Sequence, residues 1–254
     1  MTLAVRSLSA IYDAPGSGNL PPLPALGPLT LTVETGEFVC VVGPSGCGKS
    51  TLIRILAGLQ KPSQGQVLLD GAPITAPSRR VAVMFQETNL MPWRTVLDNV
   101  ALPLELTGFS KTIRYETVHK LLPALGLEEF ALAYPGELSG GMAQRAALGR
   151  VLVQQPHVML LDEPFGALDA LTREQVSLDL LRLWAEKEQT VVMVTHSIDE
   201  AVLLADRIVV LSRRPGQLVA DIRVPLTRPR RIEDTYTEIF NQTARQVREM
   251  IERA

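Results

Sequence analysis

Eight consecutive residues constrain the fold of this chain more than any other segment: Gly43-Pro44-Ser45-Gly46-Cys47-Gly48-Lys49-Ser50. They follow the apolar run 38–42 and precede the apolar segment 51–57, so we predict a strand, a glycine-rich turn and a helix. Backbone N–H groups of such a turn, with the helix N-terminus, form an anion-binding site. Lys49 would reach the β- and γ-phosphates of a nucleotide, and the Ser50 hydroxyl would ligate Mg²⁺. The segment therefore predicts a nucleoside triphosphate site, against the alternative of a chance glycine-rich turn between core elements.

The overall composition is that of a soluble globular protein. The 254 residues are 46% hydrophobic and 20% charged, with a net charge of −2, so no global attraction to nucleic acid is expected. Cys40 and Cys47 are expected to be reduced thiols, because a disulfide would lock the loop that must surround phosphate. No apolar stretch is long enough to span a bilayer, and no signal peptide is evident. We therefore expect a cytoplasmic protein.

Apolar runs alternate with helical segments along most of the chain. This order predicts a mainly parallel sheet flanked by helices, with antiparallel pieces near the N-terminus. Residues 13–22 are rich in turn formers and predict a loop, and residues 170–188 predict a long helix. The predicted strands are 3–12, 29–33, 38–42, 66–71, 81–85, 158–162, 190–195 and 207–211.

Two regions differ from this alternating pattern. Residues 87–157 lack convincing strands and show helical periodicity, which predicts a helical subdomain inserted between core strands. Four prolines are expected to break it into short helices: Pro92, Pro103, Pro123 and Pro135. The charged C-terminal segment 232–254 is predicted to form a surface helix that packs through Ile239, Val247 and Ile251.

A pair of acids ends one predicted core strand. Asp162 and Glu163 would lie at the carboxyl edge of the sheet, where ligands bind in open α/β folds. Asp162 would hold Mg²⁺ through water, and Glu163 would orient or deprotonate the attacking water. The alternative is a pair of strand-end acids that face solvent.

A second glycine-containing helix start lies at 138–145, with the sequence Leu-Ser-Gly-Gly-Met-Ala-Gln-Arg. It predicts another backbone-lined anion site. One triphosphate does not need two such sites in one chain, so the second would serve a nucleotide bound mainly by another protomer. A serine-capped helix with flexible glycines is the equally weighted alternative.

Together these segments resemble the nucleotide-binding subunits of ATP-binding cassette (ABC) transporters, over nearly the whole chain and in the expected order. The matching motifs are the Walker A loop (43–50), the Q-loop glutamine (Gln86), the LSGGQ signature (138–145), Walker B with its catalytic glutamate (158–162 and Glu163), the D-loop (Ala167-Leu168-Asp169) and the switch histidine (His196).

The resemblance implies an α/β fold with a P-loop NTPase core of mainly parallel sheet, an N-terminal antiparallel β subdomain and an inserted helical subdomain. Residues 1–254 would form one ABC ATPase domain. Roughly residues 87–157 would be the helical subdomain that carries the signature, and roughly 220–254 a C-terminal strand and helix extension.

The resemblance also implies how the site works. Two protomers, identical or paired with a different ATPase subunit, would sandwich two ATP–Mg²⁺ between the Walker loops of one and the signature of the other. Ser139 and Gly141, with Gly140 between them, would bind the γ-phosphate across the interface. Asp169 would organise the dimer seam, and His196 would hydrogen-bond the γ-phosphate and orient Glu163.

The metal and nucleotide ligands follow from the same motifs. The implied Mg²⁺ ligands are Ser50, Gln86 and Asp162, and Gln86 would also touch the attacking water. Tyr12 is the best candidate for stacking on adenine, although a strand-end tyrosine can equally be a core residue. The implied loop contacts to ATP are Gly43, Pro44, Ser45, Gly46, Cys47, Gly48, Lys49, Ser50 and Thr51.

One residue departs from the family pattern, because Met142 stands where the signature has Gln. Met142 and the segment 89–100 resemble the importer branch that handles nitrate, sulfonates, taurine or related small solutes. The implied partners are membrane-spanning permease subunits and, indirectly, an extracytoplasmic solute-binding protein. The chain would lie on the inner face of the membrane, with residues near 87–105 forming the groove for the permease.

Three other functions remain open from the residues alone. A soluble ABC ATPase of DNA repair or translation would carry a long coiled-coil insertion or two cassettes, and this chain has neither. A non-hydrolysing nucleotide-gated scaffold would not need both Glu163 and His196. A small-molecule P-loop kinase would leave the signature at Ser139 without a role.

Overall fold

The phosphate-binding loop joins a central strand of the larger of two β-sheets to a helix. The computed structural model describes residues 2–12, 21–166, 168–185 and 189–254. Most of the predicted loop 13–22, the D-loop residue Ala167 and the predicted helix end at 186–188 lie outside these ranges. The strands are β1 Leu3–Tyr12, β2 Leu23–Val33, β3 Phe38–Val42, β4 Gln64–Leu69, β5 Ala72–Pro73, β6 Val81–Met84, β7 Val158–Asp162, β8 Thr190–Val194, β9 Arg207–Leu211 and β10 Leu218–Arg223.

Seven α-helices occur in the described ranges, together with short 3-10 turns. The α-helices are α1 Lys49–Leu56, α2 Val96–Leu106, α3 Lys111–Leu121, α4 Gly140–Leu152, α5 Ala170–Ala185, α6 Ile198–Leu204 and α7 Glu238–Glu252. The 3-10 turns are Pro123–Leu125, Glu128–Phe130, Pro135–Glu137 and Ile232–Tyr236. Within the described part of the chain, no helix is both long and apolar enough to span a bilayer.

The larger sheet has the strand order β10-β9-β3-β8-β7-β6. Its strands β9, β3, β8, β7 and β6 are parallel, and β10 pairs antiparallel with β9. The smaller sheet, in the order β2-β1-β4-β5, is antiparallel throughout. The predicted α/β fold, a mainly parallel sheet with an N-terminal antiparallel sheet, is therefore confirmed.

Strand β3 is buried along its whole length, which explains its continuous apolar sequence. Phe38, Cys40 and Val42 face one hydrophobic core, which includes residues of all the helices except α1. Val39 and Val41 face a second core, formed with α1 and the antiparallel sheet. The two-residue period of the strand thus places β3 between two layers.

Two details of the predicted strands needed the structure. Phe85 was predicted as the buried end of a strand, but β6 ends at Met84 and Phe85 is 37% exposed. In the segment 66–71, predicted as a strand that ends in Asp70-Gly71, β4 ends at Leu69 and these two residues form the turn to β5. Both residues have positive φ, of 53° and 78°, as a type I′ hairpin between β4 and β5 requires.

The segment between β6 and β7 is helical, as predicted, but one of its prolines is not a breaker. Pro92 precedes α2, and Pro123 and Pro135 begin 3-10 turns. Pro103 instead lies inside α2, where the missing N–H costs one backbone hydrogen bond. The helix continues through it because Val96 and Val100 are fully buried in the core and hold the helix in place.

The C-terminal helix packs through Val247 and Ile251, as predicted, but not through Ile239. Phe240, Thr243 and Val247 are buried, which is the i, i+3, i+7 spacing of one helix face. Ile251 is partly buried against the core, whereas Ile239 is 49% exposed. The prediction for Ile239 was wrong because its neighbour Phe240 occupies the buried face.

This packing predicts a large difference between adjacent residues of α7. Phe240→Ala should lower the free energy of unfolding by about 3–5 kcal/mol, because it removes a buried aromatic ring and leaves a cavity. Ile239→Ala, at an exposed position, should change it by no more than about 0.5 kcal/mol. Urea unfolding of the two variants checks the result, and equal losses would contradict the observed orientation of the helix.

Candidate functional site

The glycine-rich loop turns between β3 and α1 as predicted. Gly48 caps α1 with φ of 101°, a left-handed conformation that residues with a side chain rarely adopt. A Cβ at this position would also lie 2.6 Å from the carbonyl oxygen of Ala25. Glycine is therefore required at residue 48 both by the turn and by the close approach of β2.

Lys49 is held over the loop rather than extended into solvent. It is 6% exposed, and its Nζ donates hydrogen bonds to the carbonyl oxygens of Gly43 at 2.8 Å and Pro44 at 3.1 Å. The ammonium group therefore lies beside the backbone N–H groups that would bind phosphate. This arrangement concentrates positive charge at the loop.

A cavity of about 300 Å³ opens beside the loop. Its walls come from β1, β2, the loop, α1, the end of β7 and the turn between β9 and β10. The lining residues are Tyr12, Leu23, Ala25, Ser45, Gly46, Gly48, Lys49, Ser50, Thr51, Glu163 and Arg214. The volume and the polar lining suit part of a nucleotide.

Tyr12 lines this cavity, next to α1. Its hydroxyl is 2.9 Å from Thr51 Oγ1 and donates to Gln60 Oε1 at 3.1 Å. These two contacts fix the ring at the end of β1, facing the loop. Its role in stacking on adenine stays a prediction.

The fold brings Ser50 into contact with Asp162, which lies 112 positions later in the sequence. The Ser50 hydroxyl donates to Asp162 Oδ1 at 3.1 Å. Burial raises the pKa of the Asp162 carboxyl above its ordinary value, while the Ser50 hydrogen bond opposes this rise and the charge of Glu163 adds to it. The pair supplies two oxygen donors, the kind of ligand that Mg²⁺ prefers.

Glu163 follows β7 in an unusual backbone conformation. Its φ is 45°, in the left-handed region that is costly for a residue with a side chain. Its N–H donates to Val194 O at 2.9 Å, which ties it to β8. Glu163 Oε2 then lies 3.0 Å from His196 Nδ1, and Glu163 lines the cavity. The strained turn therefore directs the carboxylate toward both the cavity and the histidine.

The segment carrying His196 is held by a residue that the sequence reasoning missed. Glu200 on α6 is 8% exposed and accepts a hydrogen bond from Thr195 Oγ1 at 2.5 Å. Burial raises the pKa of the Glu200 carboxyl above its ordinary value, against the effects of that hydrogen bond and the charge of Arg173. No pattern in the sequence indicates that Glu200, an acid in the first turn of a short helix, accepts a hydrogen bond from Thr195.

The signature segment begins α4 at a separate place. Ser139 is exposed and caps the helix, accepting a hydrogen bond from Met142 N at 3.3 Å. Gly140 is exposed and Gly141 is buried. None of the described residues that line the cavity comes from 138–145, so this chain alone does not bring its signature to its own phosphate loop.

The side chains of Met142 and Gln144 both pack toward the protein interior. Met142 is half-buried and packs against the larger core. Gln144 is 2% exposed, and its Nε2 donates to the carbonyl oxygen of Pro164. The start of α4 is therefore bonded directly to the residue that follows Glu163.

Asp169 and Gln86 do not line the cavity, and neither do Gly43, Pro44 and Cys47 of the loop. Asp169 caps α5, since it accepts from Thr172 N at 3.0 Å and from Thr172 Oγ1 at 2.6 Å. The hydrogen bond from the Thr172 hydroxyl holds the pKa of the Asp169 carboxyl below its ordinary value. Gln86 is exposed, two residues beyond the end of β6.

Arg214 is the functional candidate that the motifs did not indicate. It lines the cavity from the turn between β9 and β10, and its Nε donates to Gly46 O at 3.0 Å. The sequence signal was the Pro215-Gly216 pair, which marks a turn after a strand but does not show where that turn lies.

The chain is similar to known proteins along most of its length. Residues 26–166 match the family described as ABC transporter. An uncharacterised ABC transporter ATP-binding protein of Methanocaldococcus jannaschii is 48% identical, over 90% of this chain and 84% of that protein. The aliphatic sulfonates import ATP-binding protein SsuB of a Bacillus cereus strain is 41% identical, over 97% of this chain and 96% of that protein.

Solved structures of ABC transporter cassettes are also similar to this chain. The dimeric structure of MJ0796, a bacterial ABC transporter cassette, superposes with a TM-score of 0.77 at 32% identity and covers 89% of this chain and 100% of that one. A dimeric post-hydrolysis state of MJ0796 bound to ADP and Pi superposes equally well.

Proposed function

Because this chain belongs to the ABC transporter family and is one of its ATP-hydrolysing subunits, we propose that it energises uptake of a small sulfonate-like solute through separate permease subunits. Among the nitrate, sulfonate and taurine solutes of this class, we propose aliphatic sulfonates as the transported solute. The SsuB relative, named for sulfonate import and similar over nearly the full length of both chains, supports this choice.

The observation that carries the hydrolytic role is the contact between Glu163 and His196 at the edge of the phosphate-loop cavity. Glu163 Oε2 and His196 Nδ1 are 3.0 Å apart. In our proposal Glu163 accepts a proton from the attacking water, and His196 orients Glu163 and donates to the γ-phosphate. Lys49 supplies positive charge to the phosphates from the other side.

We propose that Ser50 and Asp162 hold Mg²⁺, with Gln86 as a further oxygen donor. Mg²⁺ keeps several waters and binds substrate phosphates, so a few protein oxygens are sufficient. The ion would neutralise charge on the β- and γ-phosphates. The donors Ser50 and Asp162 fit this role, since both are oxygens and lie within 3.1 Å of each other.

We further propose that two protomers pair head to tail, each completing the site of the other. Ser139, Gly140 and Gly141 would bind the γ-phosphate held by the partner's loop, while Asp169 lies at the seam. The exposure of Ser139 and Gly140 supports this proposal, as does the dimeric state of the similar MJ0796 structure. Tyr12 would stack on adenine within its own protomer.

The remaining assignments concern the whole chain and its partners. We propose one ABC ATPase domain over 1–254, with the signature-bearing helical subdomain at roughly 87–157 and a C-terminal extension at roughly 220–254. The permease would dock near residues 87–105, where Trp93 is 70% exposed. The subunit would then lie on the inner face of the membrane, with a solute-binding protein on the other side.

Reconstitution in lipid vesicles tests the transport role. The chain is combined with its permease subunits and solute-binding protein, and ATP hydrolysis is measured with an aliphatic sulfonate, taurine, nitrate or no solute. We expect the sulfonate to give the largest stimulation, coupled to its accumulation. Equal hydrolysis under all four conditions, without accumulation, would contradict transport of this class.

A further inference from the structure

The turn between β9 and β10 is built against the phosphate loop. Gly216 N donates to Ala25 O at 3.0 Å, and Gly216 O accepts from Gly27 N at 3.0 Å. A Cβ on Gly216 would lie 2.1 Å from the Cys47 carbonyl oxygen. Only glycine allows this approach, so the turn is fixed between β2 and the loop.

The turn is also braced internally. Ser212 N donates to Gln217 O at 2.9 Å, and the Ser212 hydroxyl accepts from Gln217 N at 3.0 Å and donates to Pro215 O at 3.0 Å. A side chain carried by such a turn loses little conformational freedom when it binds a ligand. Arg214 is carried in this way.

Most hydrogen-bond donors of Arg214 have no partner among the described residues. Its Nε donates to Gly46 O, and no carboxylate within the described ranges forms an ion pair with it. By contrast, Arg207 on β9 is paired with Glu37 and Asp221, and Arg228 is paired with Asp206. Because a guanidinium has five N–H donors, four of those on Arg214 form no hydrogen bond within the part of the chain that the structure describes.

The position of these donors indicates their ligand. Arg214 lines the same cavity as Lys49 and Ser50, and its Nε bond places the guanidinium at the loop residue Gly46. A planar guanidinium with free N–H groups matches phosphate oxygens in geometry and charge. The loop amides and Lys49 would approach the phosphates from one side and Arg214 from the turn.

We propose that Arg214 is a nucleotide-binding residue that donates hydrogen bonds to the phosphate chain of the bound ATP. This inference rests on the nucleotide site of the proposed function and adds a contact from outside its motifs. The bond to Gly46 O holds the guanidinium in place, and the remaining donors reach the phosphates.

Equilibrium binding of ATP, ADP and AMP to purified protein tests this inference. Arg214→Ala should raise the dissociation constant for ATP roughly tenfold, the loss expected for a charge-assisted hydrogen bond. ADP should lose a similar factor and AMP less. Arg214→Lys should lose a smaller factor than Arg214→Ala, because it keeps the charge but not the planar group.

The adjacent Arg213 provides the matched control. It is exposed on the same turn, so Arg213→Ala changes the net charge equally and should leave the dissociation constant for ATP unchanged within about twofold. Raising the KCl concentration should weaken ATP binding to the wild type more than to Arg214→Ala. Salt screens the attraction between Arg214 and the phosphates, and the variant lacks this attraction. Support of the loop alone would not alter this salt dependence.

Several results would overturn the inference. They are unchanged ATP affinity in Arg214→Ala and Arg214→Lys, equal loss in Arg213→Ala, equal loss for AMP and ATP, or an unaltered salt dependence. If Arg214→Ala does not fold, Arg214→Lys decides by the same criteria. Failure of the wild type and Arg213→Ala to bind ATP would instead contradict the proposed function itself.

Discussion

Glu163→Gln should reduce steady-state ATP hydrolysis by about 10²–10⁴-fold, the range for loss of a general base. The amide has the shape of the carboxylate and can still hydrogen-bond to His196, but it cannot accept a proton from water. Binding of ATP should be retained, because the phosphate contacts come from the loop and Lys49. The variant should therefore accumulate as an ATP-bound dimer.

Phosphate release measures the turnover, and size-exclusion chromatography with ATP measures the dimer. Glu252→Gln is the matched control, since Glu252 is exposed at the end of α7 and does not line the phosphate-loop cavity. It should hydrolyse ATP at the wild-type rate. Rapid turnover by Glu163→Gln would show that another group activates the water.

Ser139→Arg should lower ATP hydrolysis at least about tenfold while each protomer still binds ATP. The arginine would put a long charged side chain where the partner's γ-phosphate must meet α4, so the closed dimer would be hindered. The substitution also removes the capping hydroxyl that accepts from Met142 N, at a cost of about 1 kcal/mol.

A second capping serine separates these two effects. Ser110 is exposed and caps α3, accepting from Ile113 N at 3.4 Å, so Ser110→Arg removes an equivalent cap. It should lose similar stability and keep its ATPase activity. Hydrolysis and binding of a fluorescent ATP analogue are compared in both variants. Full activity in Ser139→Arg would contradict the site shared between protomers.

The sequence predicted what local patterns determine. The buried runs at β3, β7, β8 and β9 read as strands because they are covered on both faces, and the loop between β3 and α1 has a characteristic glycine spacing. Because the run that forms β7 reads as a strand of a parallel sheet, the acids that end it could be placed at the carboxyl edge of the sheet. Their contacts to Ser50 and His196 follow from the parallel order of the sheet.

The failures arose where a neighbour or a distant segment decides the outcome. Ile239 and Phe240 are both apolar, and only the packed structure shows that Phe240 faces the core. Pro103 is tolerated because the buried residues Val96 and Val100, which precede it, hold α2 in the core. The sequence did not predict Arg214 as a site residue, because its proposed role depends on where the turn after β9 contacts β2 and the loop. No local sequence pattern encodes that contact.

The bond between Gln144 and the Pro164 carbonyl has a consequence for cooperativity. In the proposed dimer the signature of one protomer serves one ATP, while its Glu163 serves the other. Gln144 lies on the signature helix, and Pro164 directly follows Glu163, so this bond links the signature helix to the residue beside the carboxylate. In the proposed dimer we therefore expect closure around one ATP to alter the geometry for hydrolysis of the other, which would make the two sites a coupled pair.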